Sequence, residues 1–262
     1  MDVAVLWELI ALEPQVTQAL KKQASAVQLH REEIQKLTNP ETAEAACREL
    51  SEALEGSDMA MLACQLEAAA CTYDRFLGKG VSAEVLVDTL KCFSRFLRET
   101  HAMTGQWKFD RDWWTWRQVS GLLFRVGELE YEMLPQTGEI SLHIPSDAVF
   151  TPENVDASLA AARAFFAEHF PTYRDADYVC HSWLMSPKLR ELLPESSNIV
   201  SFQNRFRITH VDPDNREYIH WLFAAMPDTP LEALPEKSSL QRKTKELMRA
   251  GGHIGEAGGI LR

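Results

Sequence analysis

The stretch Gly121-Leu122-Leu123-Phe124-Arg125-Val126-Gly127-Glu128-Leu129-Glu130-Tyr131-Glu132-Met133 decides how the second half of this chain folds. Leu122, Phe124 and Val126 alternate on one face, and Leu129, Tyr131 and Met133 alternate in the opposite phase. Alternation with a period of two marks a half-buried strand, because successive side chains of an extended backbone point to opposite faces. The phase flips at Gly127, and a register flip at a glycine is what a β-bulge produces, so a bulged strand is expected here. Pro135-Gln136-Thr137-Gly138 reads as a turn, and Ile140, Leu142 and Ile144 alternate on a returning strand.

Toward the C-terminus, Thr151-Pro152 opens a helix as N-cap and first helical residue, with Val155, Leu159, Ala162 and Phe166 on its apolar face and a stop at Phe170-Pro171. Tyr178 to Leu184 is apolar enough for a central strand. Ser186-Pro187 starts a short helix carrying Leu189, Leu192 and Leu193. Phe202 to Val211 and Tyr218 to Ala224 read as two strands joined by the turn Asp212-Pro213-Asp214-Asn215. A last helix begins at Ser238, with Gln241 three residues later completing a capping box, and it ends at Gly251-Gly252. The glycine-rich run from Gly251 to Gly259 reads as a helix stop or loose tail. A strand–helix–strand crossover favours parallel pairing while hairpins demand antiparallel neighbours, so the pattern predicts a mixed sheet with helices packed on it.

Residues 1–104 show helical periodicity almost throughout: Ala43, Cys47, Leu50 and Leu54 repeat at helical spacing, as do Leu62, Leu66, Ala69, Tyr73 and Phe76. The division expected is a helical part over 1–106 and a sheet-bearing part over 107–262, an α+β chain. Trp107, Trp113, Trp114 and Trp116 crowd the joint. Such rings either floor a ligand pocket or glue the helical layer onto the sheet. A net charge of −11 disfavours broad binding to nucleic acid or an anionic membrane, since the summed field repels phosphates. The opening residues lack the basic start of a signal peptide, and no apolar run approaches the roughly 18 residues a span needs, so a cytoplasmic location is expected. Five cysteines without a Cys-x-x-Cys pair read as buried thiols, and no metal site is expected.

The element order after residue 120 is similar to the core of the GNAT N-acetyltransferase fold. The segments Leu123-Phe124-Arg125-Val126-Gly127-Glu128-Leu129-Glu130-Tyr131, His143-Ile144-Pro145, Cys180-His181-Ser182-Trp183-Leu184, Ser197-Asn198-Ile199-Val200-Ser201-Phe202-Gln203 and Ser239-Leu240-Gln241-Arg242 resemble a bacterial family of GNAT-like proteins with a helical N-acyltransferase N-terminal domain. The resemblance implies transfer of an acyl group from acyl-CoA, acetyl-CoA first among them, to an amine-bearing small-molecule acceptor by direct attack. It implies that a splayed, bulged central strand receives the thioester, here near Gly127. The chain departs from the usual pattern at the pyrophosphate loop: Pro145 to Pro152 has no glycine and contains Asp147.

Direct acyl transfer to an amine needs a base for the ammonium proton and an acid for the thiolate. His181, on the predicted central strand, and His143, at the end of the strand before the long helix, are the catalytic candidates; a hydrogen-bonded core histidine is the alternative for each. Cys180 beside His181 invites a covalent mechanism, but adjacent strand residues face opposite sides and cannot touch. No Tyr lies between 186 and 204 to serve as acid, which leaves Ser196, Ser197, Asn198 or water. For the cofactor, Gln241, Arg242 and Lys243 open a helix start that also carries Lys237, Lys245 and Arg249, and cations in a first helical turn hint at a bound anion such as a CoA phosphate; a solvated basic face is the alternative. A non-catalytic GNAT-like module that binds a ligand or partner is the second reading of the whole chain.

Overall fold

The computed structural model describes residues 1–262. The chain is α+β. Nine helices come first, α1 to α9: Val3–Leu9, Pro14–Leu20, Ala24–Leu29, Arg31–Leu37, Ala43–Ala53, Asp58–Leu77, Ala83–Leu90, Cys92–Thr104 and Asp112–Ser120. The strands β1 (Leu123–Val126), β2 (Leu129–Leu134) and β3 (Glu139–His143) follow as an antiparallel meander. The crossover helix α10 (Pro152–His169) leads to β4 (Tyr178–Ser182), which lies parallel to β3. Short helices α11 (Leu189–Leu192) and α12 (Asn198–Gln203), strand β5 (Phe206–Asp212), helices α13 (Tyr218–Phe223) and α14 (Ser239–Arg249), and strand β6 (Glu256–Leu261) complete the chain. The sheet order is β1-β2-β3-β4-β6-β5. No helix is long and apolar enough to cross a membrane.

The two faces of the sheet meet different partners, as the alternation in β2 dictates. Tyr131 turns its hydroxyl to Ser158 of α10 at 2.9 Å, while Glu130 and Glu132 turn the other way, to Arg95 of α8 and Arg117 of α9. The sheet is thus sandwiched between α10 and the helical half. One continuous apolar core joins the halves, with Phe76 of α6 edge-on to Phe124 of β1 at 5.1 Å and Phe124 packed in turn on Phe165. A second, small core of Leu189, Tyr218, Ile219, Phe223, Leu234 and Ile254 holds the C-terminal helices. The tryptophans divide between both roles weighed for them. Trp116 is buried in the core, Trp107 stacks on His101, and Trp113 and Trp114 line a cleft.

Four expectations are corrected. Gly127 is not a bulge. It begins a two-residue turn between β1 and β2, Val126 pairing with Leu129, with Gly127 at φ +67 and Glu128 outside the left-handed region, as a II′ hairpin requires. A Cβ there would also press on Ser158 at 3.2 Å. A two-residue hairpin and a bulge both flip the phase of alternation, and the pattern alone does not separate them. Residues 218–223 form helix rather than strand: Tyr218, Ile219 and Phe223 bury one helical side, while Trp221 stays exposed. The span from Phe202 is split, Phe202 closing α12 and the strand starting at Phe206. The glycine-rich terminal run is neither stop nor tail over Glu256–Leu261, but β6, inserted between β4 and β5.

Candidate active site

β3 and β4 are paired only at Ile140 with Tyr178 and Ser141 with Val179. Beyond these two positions the strands part, while the other edge of β4 stays paired with β6 from Val179 to Ser182. Parallel partners share a face, and β2 pairs Glu130 with His143, so His143 and His181 both sit on the side of the sheet that faces the helical half. They stand on opposite lips of the opening. The splay expected near Gly127 is therefore located between β3 and β4, one strand further along the meander.

A cleft of about 870 Å³ enters here, a size typical of small-molecule sites. Phe96, Trp113, Trp114, Leu142, Ile144 and Phe150 give it apolar walls, with Trp183, Leu184, Ile199 and Trp221 beside them. Its charged residues are Arg95, Arg111, Glu99, Glu130, Glu217 and Glu256, and the polar Ser182, Ser197 and Asn198 complete the β4 side. Ser197 and Asn198, weighed as partners of the leaving thiol, line it, whereas Ser196 does not.

His143 is held from behind. Its Nε2 lies 2.9 Å from Glu132 Oε2, and the Trp114 ring meets its imidazole edge-on at 4.9 Å. Burial on its own would raise the pKa of Glu132, but the hydrogen bond and charge of His143, together with Arg117 at 3.0 Å, outweigh it and hold the carboxyl below the usual glutamate range. With Glu132 ionised, Nε2 carries the proton of that hydrogen bond, and Nδ1 is the nitrogen left for chemistry. His181 is exposed to the cleft and lies over Gly258 of β6, where an added Cβ would come within 2.5 Å of its Nδ1. Cys180 faces the α10 side. It is buried there, and burial, with Glu256 second, pushes its thiol up to about 12.

Below the cleft, Arg95 Nη2 donates to Glu130 Oε1 at 2.7 Å, and both side chains are almost fully buried. Burial alone would lower the Arg95 pKa, but Glu130 reverses it and keeps the guanidinium charged. The loop before α10 is occupied by the protein's own carboxylates. Asp147 pairs with Arg125 at 2.8 Å, and Glu128 accepts the Val149 N–H at 2.8 Å. A phosphate bound there would have to displace them. At α14, Gln241 donates to Leu222 O, Arg242 to Glu236 O and Lys243 to Leu192 O, and none of the three lines the cleft. Lys245 and Arg249 of the same helix both pair with Glu236. Gly127, in its turn, also stands outside the cleft lining. Glu130 and Glu132, which the periodicity reading passed over, carried one legible signal: two acids alternating with Leu129, Tyr131 and Met133 in a single strand.

Residues 101–261 match the family described as GNAT-like C-terminal domain, and residues 1–121 match the N-acyltransferase N-terminal domain. The chain belongs to the GNAT-like N-acyltransferases. Among solved structures it is similar to an acyltransferase in complex with decanoyl-CoA and teicoplanin, at 22% identity and a TM-score of 0.73, covering 100% of this chain and 99% of that one. An acyltransferase mutant in complex with octanoyl-CoA matches at 22% identity and a TM-score of 0.72, over the same shares of both chains. At this identity the likeness shows a common fold from end to end. No curated protein matches by sequence. The chain's family is one of N-acyltransferases, enzymes that acylate an amine.

Proposed function

We propose that this GNAT-like N-acyltransferase moves a medium-length or long acyl group onto the amine of a small-molecule acceptor, with the thioester seated in the opening between β3 and β4. The observation that carries the reading is that opening, with His143 and His181 on its two lips. The acceptor nitrogen bonds to the thioester carbonyl carbon, the C–S bond breaks, and the nitrogen's proton passes to His181. The thiolate takes its proton from His143, where Glu132 compensates the positive charge on the ring that delivers it. Ser197 and Asn198 offer hydrogen bonds to the sulfur side.

The aromatic walls argue for a chain longer than acetyl, because a two-carbon group would leave most of that apolar surface wet. The octanoyl- and decanoyl-CoA held by the similar structures support the same choice. Teicoplanin, bound together with decanoyl-CoA in one of them, is a first probe acceptor. A thermal-shift series from CoA through acetyl- to decanoyl-CoA tests the donor. At one common concentration octanoyl- and decanoyl-CoA are expected to stabilise most, by about 2.7 kcal/mol where that concentration is 100 times their Kd. Thiol release with a panel of amines tests the chemistry: His181→Ala is expected to lower kcat/KM by about a hundredfold or more. No shift with any thioester would overturn the donor, and unchanged turnover would remove His181 as base.

A further inference from the structure

His181 faces two cavities. Besides the cleft it lines a smaller one of about 190 Å³, whose other walls are His210, Asp212, Glu256, Ala257 and Gly258. The sheet register builds this cavity. His181 pairs with Gly258 across β4 and β6, and Gly258 pairs with His210 across β6 and β5. Directly paired residues share a face, so the two imidazoles stand on one side of the sheet with only a glycine between them. Asp212, paired with Glu256, lies two positions further along the same face.

Two local features make the row possible. The ladder of β5 slips between Ile208 and His210, because Ile208 pairs with Gly259 and His210 with the adjacent Gly258. Without that bulge Ile208 and His210 would share a face; with it, His210 is turned to the side of His181. The glycine does the rest, since any side chain at 258 would collide with the His181 ring. His210 and Asp212 are exposed on the edge strand, while Glu256 is half-buried and lines both cavities. Burial first, and Glu217 second, raise the Glu256 carboxyl against the opposing pull of His181 and His210, and Asn215 Nδ2 donates to it at 2.8 Å.

We propose that this row is the proton outlet of the enzyme: His181 hands the proton it takes from the acceptor amine across Gly258 to His210, and Glu256 and Asp212 keep the path polar out to solvent at the β5 edge. The inference rests on His181 being the base. When thioester and acceptor fill the cleft, the cleft side of His181 is closed to water, and the small cavity is the remaining way out. One nitrogen of His181 gains a proton as the C–N bond forms. The other nitrogen's proton moves through water in the small cavity to His210, which releases the proton of its far nitrogen to solvent. Both rings are then neutral, return to their first tautomers by exchange with the same water, and no further reactant is consumed. His210 acts through His181 and is a relay residue, not a catalytic one.

The test is thiol release at saturating donor and amine with His210→Ala, in dilute buffer and then with rising imidazole. The variant is expected to lose about tenfold in kcat, with KM for both substrates unchanged. Added imidazole is expected to restore it, with no effect on the natural chain. His210→Gln, closer in shape, is expected to show the same loss and the same rescue, which a purely structural role would not produce. Full kcat in dilute buffer, or a loss that imidazole does not repair, overturns the relay. His181→Ala separates the two layers. An inactive His181→Ala beside a fully active His210→Ala sinks the outlet alone, whereas an active His181→Ala sinks the base and the outlet together.

Discussion

Glu132 is the residue on which the His143 side of the site turns. Strand alternation points it away from α10, toward Arg117 and His143, where a lone carboxylate would be costly to bury and a paired one is not. Its folded pKa lies below its unfolded value of about 4.3, so the stabilisation it brings is complete above that value and is lost as pH falls through the lower, folded pKa. Urea melts of the natural chain and of Glu132→Gln should therefore differ at neutral pH, and the difference should shrink as pH falls below about 4.3. A gap that stays unchanged to about pH 3 would mean that Glu132 is not ionised in its pair. Cys180 shows the opposite outcome of alternation: one residue from His181, it faces α10 and stays buried and protonated.

At the scale of elements, the last strand matters most. β6 passes between β4 and β5 because Gly258 leaves room for the His181 ring, while a Cβ at Gly259 would come within 3.0 Å of Arg207 O. Those glycines carry weak strand propensity, so their place in the sheet is decided by what lies over them. α14 shows how a basic cluster is absorbed. Glu236 answers Lys245 and Arg249, and backbone carbonyls of Glu236 and Leu192 answer Arg242 and Lys243. The pair Arg242→Ala, Lys243→Ala is therefore expected to keep the thermal shift given by octanoyl-CoA. Loss of that shift, with the unliganded melting temperature intact, would instead place the CoA phosphates at this helix start.

The whole molecule closes on the ion pair between its halves. Arg95 comes from α8, Glu130 from β2 and Asp147 from the loop before α10, so one guanidinium ties helical half, sheet and loop beneath the cleft. With Arg95 and Glu130 both buried, Arg95→Met leaves an uncompensated carboxylate and should destabilise the fold by about 3–5 kcal/mol. Adding Glu130→Leu should return part of that loss, a non-additivity that denaturant melts of the two singles and the double would measure. Strict additivity would show that the two side chains do not interact as drawn.

Sequence alone determined the helical first half, the apolar faces of β2, β3 and α10, and the capping box at Ser238 and Gln241. These are short-range matters, set by period, caps and turn residues within a few positions of one another. Tertiary structure decided the rest. Whether a phase flip at Gly127 is bulge or turn depends on the partner strand, and whether Tyr218–Phe223 coils or extends depends on the small core it joins. The glycines of β6 and the acids of β2 acquire meaning only when β3 and β4 part. Histidines at 143, 181 and 210 are far apart in the chain and reach one face of one sheet through pairing alone, because register, unlike periodicity, is a relation between segments.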